Sequence, residues 1–342
     1  MIRVGIVGAG YWPRLVQLPA FQSIPGWHVS GIASGRRQSA DALAAEFGIP
    51  RVYDDYTQLI DDDDIDVVDI VTPNHLHREI AVRAMAAGKH VICIKPLAHT
   101  LADAEAMVQA AEDHDRRLFY AENILFTPAL RAFKSLVDAG EYGDAFRFTS
   151  LQGVGAPHSA WFFDRRLSGG GCIVDMAVHG LAYLDWFAGY SGVRSVYADA
   201  GNFLHPAHQV EDTSVVQLRF DDGRMGQTND SWATPGGYDL RYEVYGSRGH
   251  GFADLLYGQP IRSFTSGHVE GNANSLSYHP VDSHYIKDGH RAMMQHFLDV
   301  LRDGVAPEST GWEGFRVMQL VEAAYASIES GGTTAVNLVT QR

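Results

Sequence analysis

The sequence predicts an α/β chain in which an N-terminal, doubly wound parallel sheet is followed by an α+β domain with a large, mostly antiparallel open sheet. Three observations carry this. The first third alternates short apolar runs with helical stretches, the pattern of strands joined by helical crossovers. A glycine turn (GAG, 8–10) stands directly after the first run. Beyond about residue 123 the rhythm changes to strand after strand separated by turns.

Residues 3–7 read as the first strand, followed by the turn and a helical stretch to about residue 24. A second strand covers 27–33, and a helix over 39–47 stops at Gly48, a residue suited to the left-handed C-cap. The acidic run DDDDID (61–66) reads as a solvated turn. Strands at 65–71 and 91–94 enclose a helix at 78–87 that ends at Gly88. The run LFYAEN then supplies a further strand of this sheet. A helix at 128–139 leads into strands at 145–153, 193–200, 213–220, 226–232 and 240–245, with a hairpin turn at DDG (221–223). Helices over 290–302 and 312–330 close the chain. Two domains are expected, 1–122 and 123–342.

Composition narrows the function classes. At 342 residues and 46% hydrophobic, the chain can bury a sizeable core. Forty-one acids against 27 Lys and Arg give a net charge of −14, which argues against nucleic-acid and anionic-membrane partners because no basic field attracts phosphates. Two scattered cysteines, Cys93 and Cys172, make no disulfide framework and point to a reducing compartment. The chain enters a strand at once, with no basic leader, and no run approaches transmembrane length, so a cytoplasmic protein is expected.

The turn GIVGAGYWP places Gly8 and Gly10 between a strand and a helix, where backbone can approach a pyrophosphate at the helix N-terminus, as in Rossmann-type sheets. Tyr11 and Trp12 flank the same site. Pro13 occupies the place usually held by a third small residue, and proline is tolerated in a helix's first turn. About 20 residues on, where an acid often holds the ribose diol of NAD, the chain reads GIASGRRQSA with no carboxylate. Ser34, Arg36 and Arg37 suit a 2′-phosphate, favouring NADP over NAD; the arginines would otherwise only decorate a solvated helix start.

The strand at 65–71 ends in Thr72, Pro73 and Asn74, at the carboxyl edge where doubly wound sheets bind ligands. The strand VICI ends in Lys95 and Pro96. An ammonium at the end of a buried strand is costly to desolvate unless chemistry needs it there. In LSGGGCIVDMAVHGLAYLDWF, Asp175 and His179 are four apart and share a helix face, behind three glycines. A carboxylate, an imidazole and a lysine can bind a hydroxyl and remove its proton.

These pieces resemble the glucose-fructose oxidoreductase / inositol dehydrogenase / rhizopine-catabolism family of nicotinamide-dependent oxidoreductases. The matching stretches are GIVGAGYW, TPNHLH, AAGKHVICIKPLA, GGGCIVDMAVH, EDTSVVQLRFDDG and GFRVMQLVEAAYASIESG, in family order along nearly the whole chain. The resemblance implies hydride transfer between NAD(P) and a secondary hydroxyl or carbonyl of a sugar, cyclitol or related ring. Lys95 would be the catalytic lysine, although the family's Glu-Lys-Pro signature reads Ile94-Lys95-Pro96 here. Asp175 and His179 would be its partners, with His179 the general base, Asp175 orienting and Lys95 stabilising the alkoxide. His77 falls in the family's cofactor loop, and Asn123 faces the family's cleft.

In GAPHSAWFFDRRLSGGG, His158, Trp161 and Asp164 would line a sugar site, or simply anchor the loop, while Arg165 and Arg166 would suit an anionic substituent. No metal site is expected: the pairs His75/His77 and His205/His208 lack a completing ligand. Two other functions stay open, a glycoside-cleaving enzyme with a closed redox cycle and a non-catalytic dinucleotide-binding regulator. Assembly as a homodimer or homotetramer is implied.

Overall fold

The computed structural model describes residues 1–256, 261–266, 274–279, 281 and 284–339. Its contacts divide the chain into two compact units. The first contains 1–123, 166–169 and 289–318; the second contains 124–165, 170–288 and 319–342. The stretch 289–318 therefore packs with the first unit although it follows the second unit's sheet in the chain.

In the first unit the strands are β1 (Ile2–Val7), β2 (Trp27–Ala33), β3 (Arg51–Tyr53), β4 (Val67–Ile70), β5 (His90–Ile94) and β6 (Leu118–Ala121). They form one parallel sheet in the order β3-β2-β1-β4-β5-β6. The crossovers are α1 (Leu18–Ser23), α2 (Arg37–Phe47), α3 (Tyr56–Ile60), α4 (His77–Ala86) and α5 (Leu101–Asp113). One face of the sheet, with Val68, Ile70, Val91, Cys93 and Tyr120, packs on residues of α4 and α5. Val67, Ile92 and Phe119 on the other face are equally buried, and this two-sided burial explains why the strands read as continuous apolar runs. The short β3 carried no periodic signal because three residues are too few to show one.

The acidic run is not simply solvated. Arg3 binds Asp66 at 2.7 Å and Asp64 at 2.8 Å, Arg83 binds Asp61 at 2.9 Å, and Arg51 bridges Asp62 and Asp64. The turn concentrates acids because arginines from three other segments converge on it.

The second unit holds β7 (Ala145–Gly153), β8 (Val193–Gly201), β9 (Thr213–Phe220), β10 (Met225–Ser231), β11 (Asp239–Gly246), β12 (Gly249–Asp254), β13 (Ile261–Ser266), β14 (Asn274–His279) and β15 (Thr334–Ala335). They form a nine-stranded sheet, ordered β14-β13-β12-β11-β7-β10-β9-β8-β15. Every pairing is antiparallel except β7 with β10. The strands β12 to β14 escaped sequence reading because glycine and polar residues break their alternation. Helices α6 (Pro128–Asp138) and α8 (Val178–Phe187) lie on one face. A Cβ on Gly180 of α8 would sit 2.0 Å from Thr228 Oγ1, so only glycine permits this approach of helix to sheet.

The remaining helices are α7 (Arg165–Ser168), α9 (Tyr285–Asp303) and α10 (Gly311–Ser330). Contrary to the expectation that no run reaches spanning length, Arg165–Phe187 is long and apolar enough to do so, but 83% of its apolar window is buried inside the protein. A core helix meets the same test of length and composition.

Candidate active site

Because the first sheet is parallel, its carboxyl ends share one edge. The register pairs Val7 with both Ala33 and Ile70, Ile70 with Cys93, and Ile94 with Ala121. Gly8, Ser34 and Lys95 follow directly on these ends, and Thr72 and Asn123 come one residue later. The strand order reverses between β1 and β4, the place where such sheets bind dinucleotides.

Gly8 stands at that switch point with φ of +124°, and a Cβ there would lie 2.3 Å from the Val71 carbonyl oxygen. In front of Gly10 there is open space, with no heavy atom within 4 Å of its ideal Cβ. This glycine cradle fits a pyrophosphate. Pro13 opens a π-helical turn (Pro13–Gln17) instead of plain α-helix. Tyr11 is exposed, and its ring meets Trp12 edge-on at 5.4 Å. Trp12 in turn stacks on His290 at 6.3 Å.

The two arginines expected at the ribose differ. Arg37 Nε donates to Asp41 at 2.9 Å and its Nη1 to Asp54, so it is held by two carboxylates. Arg36 is exposed, with its backbone N–H on Ser34 Oγ at 3.3 Å.

At the end of β4, Asn74 is buried and its amide donates to the Ser168 carbonyl at 2.7 Å. His77 is fully buried, with Nδ1 3.1 Å from Pro96 O and Nε2 3.0 Å from Thr72 O. Burial lowers its pKa, opposed by those carbonyls. His77 thus joins the Thr72 loop to the Lys95–Pro96 loop through backbone. Lys95 is half-buried at the end of β5.

In the second unit, Gly170 and Gly171 admit no side chain: a Cβ would stand 1.9 Å from Tyr325 Oη and 2.1 Å from Glu211 O respectively. Glu211 Oε1 accepts from the N–H of Gly171 (3.0 Å), the N–H of Ile173 (3.1 Å) and the hydroxyl of Tyr325 (2.8 Å). It satisfies the helix's otherwise orphaned donors. Asp175 then falls in a π-helical turn (Ile173–Ala177) that runs into α8 with His179. Such turns are rare and recur at functional positions.

Asp175 is 7% exposed and its Oδ2 accepts from Trp232 Nε1 at 2.8 Å. Trp161 stacks on Phe162 at 3.9 Å, His158 meets Phe162 at 5.0 Å, and Phe163 stacks on His208 at 4.0 Å. The candidate sugar-facing loop therefore shares an aromatic cluster with Trp232. Arg165 lies 5.3 Å over the Tyr325 ring. Asp212 is buried, which raises its pKa. The backbone N–H groups of Phe203, His205 and Leu204 outweigh this and hold it below the ordinary value. Among the described residues, no group of three or more His, Cys, Asp or Glu is arranged to hold a metal.

Sequence reading missed Trp232, Glu211 and Asp212 as site-building residues. Glu211 and Asp212 open the quoted stretch EDTSVVQLRFDDG, yet adjacency could not show that one serves the helix and the other a loop.

A glycine cradle at the switch point of a six-stranded parallel sheet is the build of a nicotinamide-dependent oxidoreductase. The particular family follows from comparison. Residues 2–122 match the oxidoreductase family with NAD-binding Rossmann fold, and residues 130–250 match the GFO/IDH/MocA C-terminal domain; the chain belongs to this family. It is similar to levoglucosan dehydrogenase of Pseudarthrobacter phenanthrenivorans, 32% identical over 72% of each chain. It is also similar to myo-inositol 2-dehydrogenase of Thermotoga maritima, 28% identical over 96% of each. Among solved structures, GenD2 from gentamicin A biosynthesis in complex with NAD superposes with a TM-score of 0.88 at 26% identity, covering 98% of this chain and 97% of that one.

Proposed function

We propose that the protein oxidises a secondary hydroxyl, or reduces the matching carbonyl, of a sugar, cyclitol or related polyhydroxylated ring, with NADP preferred to NAD. The single observation that carries the reading is the build of the Asp175 helix: a carboxylate anchored in a π turn, beside an aromatic cluster suited to a sugar's apolar ring face. The names of the relatives support the substrate class. When bound, the nicotinamide supplies the hydride acceptor. Of the chain's own residues, Lys95 binds the hydroxyl oxygen and stabilises developing alkoxide charge, His179 takes the hydroxyl proton, and Asp175 orients the imidazole or the substrate. The dinucleotide is held by Gly8, Gly10, Tyr11, Trp12, Thr72, Pro73, Asn74 and Pro96, with His77 behind two of these loops. His158, Trp161 and Asn123 take the substrate.

The NADP preference rests on Ser34 and Arg36 and on the missing acid. The pairing of Arg37 with Asp41 and Asp54 leaves one guanidinium for a 2′-phosphate, so a modest preference is expected. The outer face of the large sheet carries a half-buried aromatic stack, with His250 on Phe264 at 4.9 Å and on Tyr245 at 5.4 Å. This supports a homodimer or homotetramer through that face, which sedimentation would read as a multiple of 37.5 kDa. Two buried free cysteines support a cytoplasmic setting.

The test is absorbance of reduced nicotinamide with NADP⁺ or NAD⁺ against inositols, aldoses, sugar acids, levoglucosan and other glycosides. Turnover with a polyol is the expected result. Cleavage of a glycoside without net cofactor reduction would replace it with the closed redox cycle, and silence with bound dinucleotide would favour a regulator.

A further inference from the structure

We propose that Trp232 is a positioning residue for this chemistry, acting through Asp175. The proposal rests on the role given to Asp175 above. The indole N–H donates to Asp175 Oδ2 at 2.8 Å, and the ring is fully buried. Its aim is fixed from both ends. The backbone N–H of Trp232 is bonded to the Asp212 carbonyl at 2.7 Å, while Phe163 and Phe162 meet the ring edge-on at 5.5 and 6.1 Å. A ring held at its backbone and along its flanks cannot turn its N–H away.

The chemistry of the donor decides what it does. Indole N–H donates and never accepts, so Asp175 must present an acceptor oxygen, and such a bond favours the ionised carboxylate. Burial works the other way, favouring the neutral acid. A carboxylate only 7% exposed thus has in the indole a fixed donor, whose bond favours the charged form and restrains its rotation. The helix itself does not depend on the indole, because Glu211 secures its first turn through Gly171 and Ile173. Removing the indole N–H should therefore disturb the carboxylate and leave the helix in place. The other titratable groups around Asp175 in this unit are His179 and Cys172 on its own helical stretch, Asp230 on β10, Glu211 ahead of β9, and His158, His205 and His208 in the aromatic cluster.

The experiment compares Trp232→Phe, replacement of Trp232 by 3-benzothienylalanine (the same ring shape without N–H), Asp175→Asn, and the Trp232→Phe/Asp175→Asn pair. Turnover of levoglucosan or myo-inositol is followed across pH, together with dinucleotide affinity and the indole N–H resonances of ¹⁵N-tryptophan-labelled protein. The expected result is a kcat lowered about ten-fold or more by loss of the N–H, from a charge-assisted bond. KM should stay within about three-fold, dinucleotide affinity should hold, and the acidic limb of the profile should move to higher pH. Trp232→Phe should add little in the Asp175→Asn background, and the Trp232 N–H resonance should shift when Asp175 becomes Asn. An unchanged kcat and pH profile in the benzothienyl variant, with Asp175→Asn impaired, would overturn the proposal and leave the role of Asp175 standing. Full activity of Asp175→Asn would overturn that role instead.

Discussion

His77 ties the Thr72 loop to Pro96: its Nδ1 lies 3.1 Å from the Pro96 carbonyl oxygen and its Nε2 3.0 Å from that of Thr72. A neutral imidazole donates through one nitrogen only, so it satisfies one of these carbonyls at a time. Burial keeps it neutral by lowering its pKa, against the pull of both carbonyls. The residue before Pro96 is Lys95, so the ring fixes the backbone from which the proposed catalytic ammonium extends. His77→Ala opens a cavity and orphans a buried carbonyl, at roughly 1–3 kcal/mol for the hydrogen-bonding part. Small displacements of a reacting group cost up to about 100-fold in rate. Both a lower Tm and a kcat reduced about ten-fold are expected. A lower Tm with unchanged kcat would show that Lys95 is held by other contacts.

Arg36 and Arg37 should separate in a cofactor-selectivity measurement. Arg37 is spent on Asp41 and Asp54. Its removal should leave the ratio of kcat/KM for NADP⁺ and NAD⁺ unchanged and barely alter stability, as is usual for exposed pairs. Arg36→Ala should lower kcat/KM for NADP⁺ about ten-fold while NAD⁺ stays within about two-fold. An equal loss with both cofactors would remove Arg36 from 2′-phosphate recognition.

A third prediction concerns Asp69, in the middle of β4. It is fully buried, neither carboxylate oxygen has a hydrogen-bond partner, and burial pushes its pKa from 3.8 up to about 8. A raised folded-state value means the folded protein holds its proton where the unfolded chain has lost it. The stability so gained is fully present below about pH 4, is lost progressively as pH rises through about 8, and levels off above that. The decline reaches about 1.4 kcal/mol per pH unit inside that window. Thermal unfolding from pH 5 to 9 should show it, and Asp69→Asn should flatten it. An unaltered slope in the variant would assign the effect to other groups.

How much of this was legible can be judged residue by residue. The strands Ala145–Gly153 and Thr213–Phe220 were read to the residue because one face is buried and the other is not, which imprints alternation on the sequence. Gly8, Lys95, Asp175 and His179 stand out in the sequence because each is marked by local spacing or by its place at a strand end. Trp232 could not: its partner lies 57 residues away, and only the pairing of β10 with β9 and β7 brings the strand under the helix. The commitment of Arg37 to Asp54 is equally non-local. Asp69 did leave a trace, an acid inside the apolar run VVDIV, but its burial depends on what covers both faces of the sheet.

The last prediction addresses Ile94, which stands where the family signature places glutamate and is 8% exposed at the end of β5. β5 and β6 pair in parallel up to Ile94 and Ala121, so the next residues along each strand are Lys95 and Glu122. Glu122 is fully buried, and a buried carboxylate demands cations or donors close by. Adjacent strands lie about 4.8 Å apart, within reach of a lysine side chain. The prediction is that the carboxylate serving the lysine comes from the neighbouring strand instead of from the residue before it. Glu122→Gln should then lower kcat about ten-fold, because the ammonium loses a charge that helps hold it in place. Adding Ile94→Glu to that variant should recover most of the loss, since the negative charge returns from the other side of the same lysine. A double variant no more active than Glu122→Gln, with dinucleotide affinity and Tm intact, would show that Glu122 serves the fold of β6 and that Lys95 works without a carboxylate from either strand.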